Sequence, residues 1–360
     1  MVTAAFRPGW REQKMHRSDG KANPQASSGL TSSRHRANSE GMTTLTKTKF
    51  RIAHLSDPHV GPLPRPRLRE LMGKRLTGFI NWHRGRDRAH DMELLAALVG
   101  DIRNQQPDHV ACTGDLANIG LPAEWDTSRA FLESLGEAEA VSFVPGNHDA
   151  YIEGALEGMM AVCGPFTSDD SGATGVFPYV RRRGDVALVG LSSAIPTAPF
   201  VASGRMGQTQ IDAAERVLEE LGAQGLCRVV MIHHPPHVAG ASAGRNLTDA
   251  RKLEEMIART GAELMLHGHN HIGTVATIPG PDGRIPVVGA PSASSRGGTI
   301  AHRAAYYLFD IAPSEDGFVI KAQMRGLKAD GTIGFLEKVS LARKSGGLRA
   351  SLKRGKHARQ

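Results

Sequence analysis

Cysteines and long apolar runs are scarce in this chain of 360 residues. The three cysteines, Cys112, Cys163 and Cys227, are widely separated and form no C-x-x-C pair. This pattern suggests neither a disulfide framework nor a thiolate zinc site, and it favours a reducing compartment. No run of about 18 apolar residues could form a spanning helix, and the N-terminal residues lack the apolar region of a signal peptide. We therefore expect a soluble, cytoplasmic protein.

The net charge of +8 is concentrated at the two ends of the chain. Residues 1–46 carry seven basic and three acidic side chains, and residues 343–360 carry seven basic and no acidic ones. The remainder has a net charge of −3, which disfavours duplex nucleic acid as a partner. Both ends are polar and lack apolar periodicity, so we predict disordered basic segments at 1–46 and 343–360 around one domain at 47–342.

Within this domain, five apolar and β-prone runs each end in a cluster of Asp, Asn or His. Because the carboxyl ends of strands form the ligand sites of open α/β sheets, we expect the five clusters to converge. The runs and their clusters are Phe50–Leu55 before Asp57 and His59, Val110–Thr113 before Asp115, Val141–Val144 before Asn147, His148 and Asp149, Val229–Ile232 before His233 and His234, and Leu264–Leu266 before His269 and His271.

Segments with helical spacing separate these runs, and alternation of strand and helix predicts an α/β fold. The predicted helices are 92–102, 123–135, 152–162, 208–221 and 249–260. After His271 the chain becomes strand-rich, and we expect its runs to form a second sheet packed on the first. These runs are 274–278, 285–288, 305–311 and 318–324.

The clusters combine imidazole, carboxylate and amide groups without thiolates, which favours manganese, iron or zinc over copper(I). In Asp57-x-His59 and His269-x-His271, alternate side chains of an extended segment point the same way, so both members can face one ion. One such cluster is weak evidence, because similar turns follow many strands. All five in this order predict a functional site.

The motifs Asp57-x-His59, Gly114-Asp115, Gly146-Asn147-His148-Asp149, His233 and Gly268-His269-x-His271 resemble the signature of calcineurin-like metallophosphoesterases, over roughly residues 50–325. The resemblance implies a four-layer αββα sandwich of two mixed β-sheets flanked by helices. It also implies two metal ions, held by Asp57, His59 and His271 and by Asn147, His233 and His269, with Asp115 bridging them. His148 is implied to lie beside the substrate phosphate, where Asp149 orients it, and His234 and Asn118 are further expected substrate contacts.

The activity implied is hydrolysis of a phosphoester, in which two metal ions activate a shared water and hold the phosphate oxygens. The runs around His233 and His269 resemble those of bacterial class III cyclic-nucleotide and glycerophosphodiester phosphodiesterases. A small phosphodiester such as a 3′,5′-cyclic nucleotide is therefore the expected substrate. A non-catalytic binding subunit is a third interpretation, but loss of Asp115, Asn147 or His148 would be its sign, and all three are present.

Residues 62–90 form a long basic insertion, with eight basic residues against Glu70 and Asp87. An amphipathic pattern of this kind is typical of membrane-surface helices, although the same apolar stripe could pack on the domain. Residues 73–82 resemble the insertion of chlamydial-type UDP-2,3-diacylglucosamine pyrophosphate hydrolases. Hydrolysis of a lipid-linked nucleotide at the inner membrane surface is thus the alternative function. The stripe consists of Leu68, Met72, Leu76, Phe79 and Ile80.

Overall fold

The structure is a computed structural model that describes residues 49–341, so the segments predicted at 1–46 and 343–360 lie outside the described residues. The described chain contains twelve β-strands. They are β1 (Phe50–Leu55), β2 (His109–Cys112), β3 (Val141–Phe143), β4 (Tyr179–Arg183), β5 (Val186–Gly190), β6 (Cys227–Met231), β7 (Leu264–His267), β8 (Thr274–Gly280), β9 (Gly283–Gly289), β10 (Ala305–Ser314), β11 (Gly317–Leu327) and β12 (Ile333–Val339).

Seven α-helices connect the strands in the described part of the chain, and short 3₁₀ turns occur between several of them. The helices are α1 (Lys74–Asn81), α2 (Asp87–Ala89), α3 (Met92–Asn104), α4 (Trp125–Leu135), α5 (Ala155–Cys163), α6 (Gln208–Ala223) and α7 (Ala250–Thr260). None of these helices has the length and apolar character needed to cross a membrane.

The strands form two six-stranded sheets, in the orders β12-β11-β10-β1-β2-β3 and β4-β5-β6-β7-β9-β8. In the first sheet β1, β2 and β3 are parallel, whereas β10, β11 and β12 pair antiparallel. In the second sheet β5, β6, β7 and β9 are parallel, and β4 and β8 are antiparallel edges. Both sheets are therefore mixed.

Side-chain alternation along the strands builds three stacked apolar layers. On β5, Val186 and Leu188 belong to the core between the sheets, while Ala187 and Val189 belong to the core that includes α6 and α7. On β1, Ile52 likewise lies between the sheets, and Ala53 and Leu55 pack with α3, α4 and α5 on the other face. Since successive side chains of a strand point to opposite faces, each sheet buries both faces. The predicted αββα sandwich is confirmed.

The prediction that the C-terminal strands form a sheet of their own is wrong. β8 and β9 complete the second sheet beside β7, whereas β10 pairs with β1 and extends the first. The pairing has a physical reason, because an unpaired β1 would leave buried N–H and C=O groups without partners. The strands β4, β5 and β12 were not predicted, and α5 begins at Ala155 rather than at 152 because turns occupy the preceding residues.

Candidate metal centre

The five predicted clusters converge at the carboxyl ends of strands that belong to both sheets. The clusters of Asp57, Asp115 and Asn147 follow β1, β2 and β3, and those of His233 and His269 follow β6 and β7. The sequence pattern predicted this convergence, but it did not predict that two sheets share the site. The site therefore lies where the edges of the two sheets meet.

Potential ligand atoms form two groups, and within each group they lie within 4.8 Å of one another. The first group contains Asp57, His59, Asp115 and His271, and the second contains Asp115, His233 and His269. Asn147 adds its Oδ1 to the second group, at 3.2 Å from Nε2 of His233 and 2.9 Å from Nδ1 of His269. Asp115 is the member common to both groups, as the predicted bridging position requires.

Hydrogen bonds to backbone carbonyls fix which ring nitrogen faces the centre. Nδ1 of His59 donates to the carbonyl oxygen of Ala117 (3.3 Å), and Nδ1 of His233 donates to that of Thr113 (2.7 Å). The Nε2 atoms therefore carry the lone pairs, and Nε2 of His59 faces Nε2 of His271 at 3.3 Å. Converging lone pairs with carbonyl contacts behind them are typical of metal-binding imidazoles.

Burial and charge also fit a cation. Asp57 and Asp115 are almost fully buried, and Oδ1 of Asp57 has no hydrogen bond, although Nε2 of His271 lies 3.1 Å away. Burial opposes ionisation of Asp115, yet His233 and His148 hold the pKa of this carboxyl well below its ordinary value. Two buried carboxylates in contact with few donors are costly unless positive charge accompanies them. Two metal ions would supply that charge.

The imidazoles respond differently to the same surroundings. Burial lowers the pKa of His59 well below its ordinary value, and the neighbouring His90 and Arg86 act in the same direction. Burial also acts to lower the pKa of His233, but Asp115 outweighs it and raises that pKa to about 9. Asp115 thus favours positive charge at His233, which a bound metal ion would supply.

The backbone at the centre is strained. Asp57, His59 and Asp115 have positive φ angles of 52°, 42° and 56°, and His269 and His271 have φ angles of 71° and 55°. Residues other than glycine avoid this region, at a cost of about 1–3 kcal/mol each where they do adopt it. Five strained residues in one place indicate that the loops are shaped for the site rather than for stability.

Close approach of neighbouring loops requires glycine at two of the motif positions. A Cβ atom on Gly146 would collide with Oδ1 of Asp115, and one on Gly268 would collide with the side chains of Ser56 and Asp57. The glycines of the motifs therefore let adjacent strand ends meet.

His148 lies at the edge of the first ligand group, with its ring centroid 4.9 Å from that of His59. Its backbone N–H donates to Oδ1 of Asp115 (2.7 Å), and its Nδ1 donates to the carbonyl oxygen of Asn118 (2.5 Å). Burial, reinforced by the charge of Arg86, lowers the pKa of His148 to about 4. The ring is thus neutral in this structure, with the lone pair of Nε2 directed away from Asn118.

The structure does not support the role expected for Asp149. Its two carboxylate oxygens accept hydrogen bonds from the backbone N–H groups of Asp115, Ala117 and Gly146, and the partner of Nδ1 of His148 is Asn118. A carboxylate that accepts three backbone N–H groups fixes the loops that carry them. Asp149 therefore holds the β2 and β3 loops in place.

His234 and Asn118 are also placed differently from the substrate contacts that were expected. Both ring nitrogens of His234 have partners, at 2.8 Å from Oγ of Ser193 and 3.0 Å from the carbonyl oxygen of Ala202. The side-chain amide of the buried Asn118 donates to the carbonyl oxygen of Val60 (2.9 Å). His234 thus has no nitrogen free for a substrate, and Asn118 acts on His148 through its backbone.

The basic insertion at 62–90 lies against the metal centre. Gly78 of α1 packs so closely on the phenol of Tyr151 that a Cβ atom would not fit, and the ring of Trp82 stacks on that of His90. His90 contacts the ring of His59, with 4.6 Å between the ring centroids, and its Nδ1 lies 2.8 Å from Oγ of Ser294. The insertion is therefore part of the wall of the site.

Arg86 and His90 are residues of the site that the sequence pattern did not reveal. The guanidinium of Arg86 donates to Nε2 of His148 (3.3 Å) and to Nε2 of His59 (3.4 Å). Neither residue belongs to a motif or follows a strand, so only docking of the insertion identifies them. Gly85, beside Arg86, has a φ of 150° and forms a kink in the helical backbone.

A model of the family described as "Calcineurin-like phosphoesterase" matches residues 50–273. Over 181 residues the chain is 29% identical to "Probable cyclic nucleotide phosphodiesterase" of Synechococcus, an alignment that covers 49% of this chain and 62% of that relative. It is 24% identical over 246 residues to the glycerophosphodiester phosphodiesterase GpdQ of Enterobacter lignolyticus, covering 65% of this chain and 78% of that one.

Among solved structures, a dimetal phosphatase from Danio rerio is similar, with a TM-score of 0.53 and 15% identity over 82% of this chain and 99% of that chain. At this identity the likeness concerns the fold alone. The match of the family model contains the strands β1 to β7 and every predicted metal ligand. The chain belongs to the calcineurin-like phosphoesterase family.

Proposed function

We propose that this chain is a phosphodiesterase with two metal ions, which hydrolyses a small phosphodiester such as a 3′,5′-cyclic nucleotide. The supporting observation is the pair of ligand groups that share Asp115, with His148 at their edge. The names of the relatives from Synechococcus and Enterobacter lignolyticus favour a diester over a monoester. The complete ligand set argues against a binding subunit without activity.

In this proposal Asp57, His59 and His271 hold one ion, Asn147, His233 and His269 hold the other, and Asp115 bridges them. When bound, two such ions lower the pKa of a shared water and stabilise charge on phosphate oxygens. Manganese, iron and zinc suit these ligands. The protein's part is to fix the ligand atoms through the carbonyls of Ala117 and Thr113 and to present His148 to the phosphate.

Metal dependence is the direct test. Treatment with a chelator should reduce hydrolysis of bis(p-nitrophenyl) phosphate and cyclic AMP to background, and added Mn²⁺, Fe²⁺ or Zn²⁺ should restore it. Metal content and melting temperature of each sample serve as controls for the state of the protein. Hydrolysis that persists in protein verified to be free of metal, or full metal loading without turnover of any diester, would contradict the proposal.

A second candidate function, hydrolysis of a lipid-linked pyrophosphate at a membrane surface, is favoured by the outer face of the insertion. Large apolar side chains recur there every four residues and are exposed: Leu68 by 90%, Met72 by 75%, Leu76 by 46% and Ile80 by 40%. Phe79 faces the other way and packs against Ile119, Leu121 and Tyr151. The sequence left membrane contact and packing on the domain as alternatives for this stripe. Phe79 packs on the domain, and membrane contact would involve the four exposed side chains.

Exposed arginines accompany this stripe. In the described chain Arg65, Arg69, Arg84 and Arg88 are exposed and form no ion pair with another described residue. An apolar face beside unpaired cations suits an anionic lipid surface. On this candidate, the insertion would dock on the cytoplasmic side of a membrane and bring the metal centre to the headgroups.

Replacement of exposed apolar residues of the stripe by aspartate tests the second candidate function. Leu68→Asp with Met72→Asp should remove binding to phosphatidylglycerol vesicles, while the melting temperature and the hydrolysis of a soluble diester stay unchanged. Val275→Asp, at a 43% exposed apolar residue of β8, is the matched control and should bind vesicles as the wild type does. Phe79→Asp should instead lower the melting temperature, because it buries a carboxylate against apolar side chains. Equal vesicle binding by wild type and the double variant would exclude membrane docking through this face.

A further inference from the structure

Arg86 is a cation placed between two imidazoles of the candidate centre. Its guanidinium lies 3.3 Å from Nε2 of His148 and 3.4 Å from Nε2 of His59. The side chain is half-buried, and within residues 49–341 it forms no ion pair, although Asp57 and Asp115 are nearby. A partly desolvated guanidinium without a carboxylate partner is unusual, because buried charges are normally paired.

The two hydrogen bonds of the His148 ring place its proton on Nδ1, because the carbonyl of Asn118 can only accept and Arg86 can only donate. The proton of its ring is committed to the carbonyl oxygen of Asn118, which can only accept, so Nε2 presents a lone pair. Two such lone pairs, on His148 and His59, face the fork of Arg86. The donor available at the edge of the centre is therefore Arg86 and not His148.

Like charges would face each other when the two ligand groups hold metal ions. The ions and the guanidinium would all be positive, and such an arrangement is stabilised by an anion bound among them. A guanidinium presents parallel N–H groups that match two oxygens of a phosphate. Arg86 thus has the charge, the geometry and the location of a phosphate ligand.

We propose that Arg86 binds a non-bridging oxygen of the substrate phosphate, so that the insertion completes an oxyanion-binding position opposite the metal ions. The inference rests on the proposed function and deepens it, since it assigns the contact to a residue outside the family motifs. The contact of Gly78 with Tyr151 and the stacking of Trp82 on His90 would then position Arg86, because both contacts hold the segment that carries it.

The test compares Arg86→Ala and Arg86→Lys with Arg103→Ala, which removes an exposed arginine in the last turn of α3 and has the same effect on net charge as Arg86→Ala. Three quantities are measured on purified full-length protein: Mn²⁺ affinity, affinity of the Mn²⁺-loaded protein for inorganic phosphate by calorimetry, and kcat/KM for bis(p-nitrophenyl) phosphate. Melting temperatures accompany each sample.

We expect Arg86→Ala to weaken phosphate binding by about 10- to 100-fold, the range of a lost charge-assisted hydrogen bond, and to lower kcat/KM at least as much. Mn²⁺ affinity should stay equal or rise, because a repelling cation is removed. Arg86→Lys should lie between Arg86→Ala and wild type, and Arg103→Ala should match wild type.

Three results would overturn the proposal. Unchanged phosphate affinity in Arg86→Ala is the first, and absence of phosphate binding by loaded wild-type protein is the second. Weaker Mn²⁺ binding in both Arg86 variants is the third, since it would mean that Arg86 positions His59 as a metal ligand and does not bind phosphate. If the wild type binds phosphate but hydrolyses no diester, the proposed function fails, whereas the phosphate comparison still decides the role of Arg86.

Discussion

Asp115→Ala is expected to abolish metal-dependent hydrolysis of bis(p-nitrophenyl) phosphate, with a loss of at least about 10³-fold in kcat. Oδ2 of Asp115 lies 3.4 Å from Nε2 of His233 and 3.9 Å from Nε2 of His59, one histidine from each ligand group. In the proposed centre, removal of this carboxylate would take a ligand from both ions at once. It also removes negative charge that lets two cations stay close together.

Asp115→Asn separates the two effects of that substitution. The amide oxygen can still accept the backbone N–H of His148, which Oδ1 of Asp115 accepts at 2.7 Å, but the charge is gone. We expect Asp115→Asn to lose metal and activity nearly as fully as Asp115→Ala. Asp310→Asn is the matched control. Asp310 lies in β10 and pairs with Arg51, so its substitution should change neither metal content nor activity. Two bound metal ions and most of the activity in Asp115→Ala would show that Asp115 does not bridge.

The convergence of the candidate metal ligands could be predicted from the sequence because the signal is local. Each ligand directly follows an apolar run, and a parallel strand must end at the same edge of its sheet as its neighbours. The strained φ angles at Asp57, His59 and Asp115 lie in those same short loops. Local order along the chain was therefore sufficient to bring these residues together.

The partition of strands between the sheets could not be predicted, because it depends on pairing between distant segments. β10 pairs with β1 across more than 250 positions, with Phe50 opposite Ile311. Nothing in the alternation of β10 distinguishes that partner from β9, its predecessor in the chain. The hairpin of β4 and β5 was missed although its signal is local. The run from Val186 to Gly190 is apolar, and Gly184 provides the turn with a φ of 58°.

Roles that depend on satisfied hydrogen bonds were the least predictable from the sequence. Asp149 was expected to orient His148, and His234 was expected to contact the substrate. The structure directs both into the protein, where backbone groups and Ser193 occupy their polar atoms. Arg86 shows the converse, because it is far from every motif in the sequence yet touches two histidines of the site.

His148→Ala is expected to retain both metal ions and to lower kcat for a soluble diester by about 10²- to 10⁴-fold, the usual range for a positioned proton-transfer or polar group. The hydrogen bond from His148 to the candidate ligand Asp115 comes from its backbone N–H, which persists in the alanine variant. Its ring is held by the carbonyl of Asn118 and stacks on Tyr151, with 5.4 Å between the ring centroids. Metal content should therefore stay at the wild-type level, and a loss of metal would instead make His148 a ligand.

His148→Ala combined with Arg86→Ala distinguishes two ways in which the ring could contribute. Nη1 of Arg86 donates to Nε2 of His148, so the two side chains share one contact and should not act independently. If both serve the same phosphate oxygen, the double variant should lose clearly less than the product of the two single losses. His237→Ala is the control, because His237 lies in the loop after His233 and has no described contact with Arg86 or His148. Strictly multiplicative losses, measured as kcat/KM with both metal ions bound, would mean that His148 and Arg86 act on different parts of the substrate.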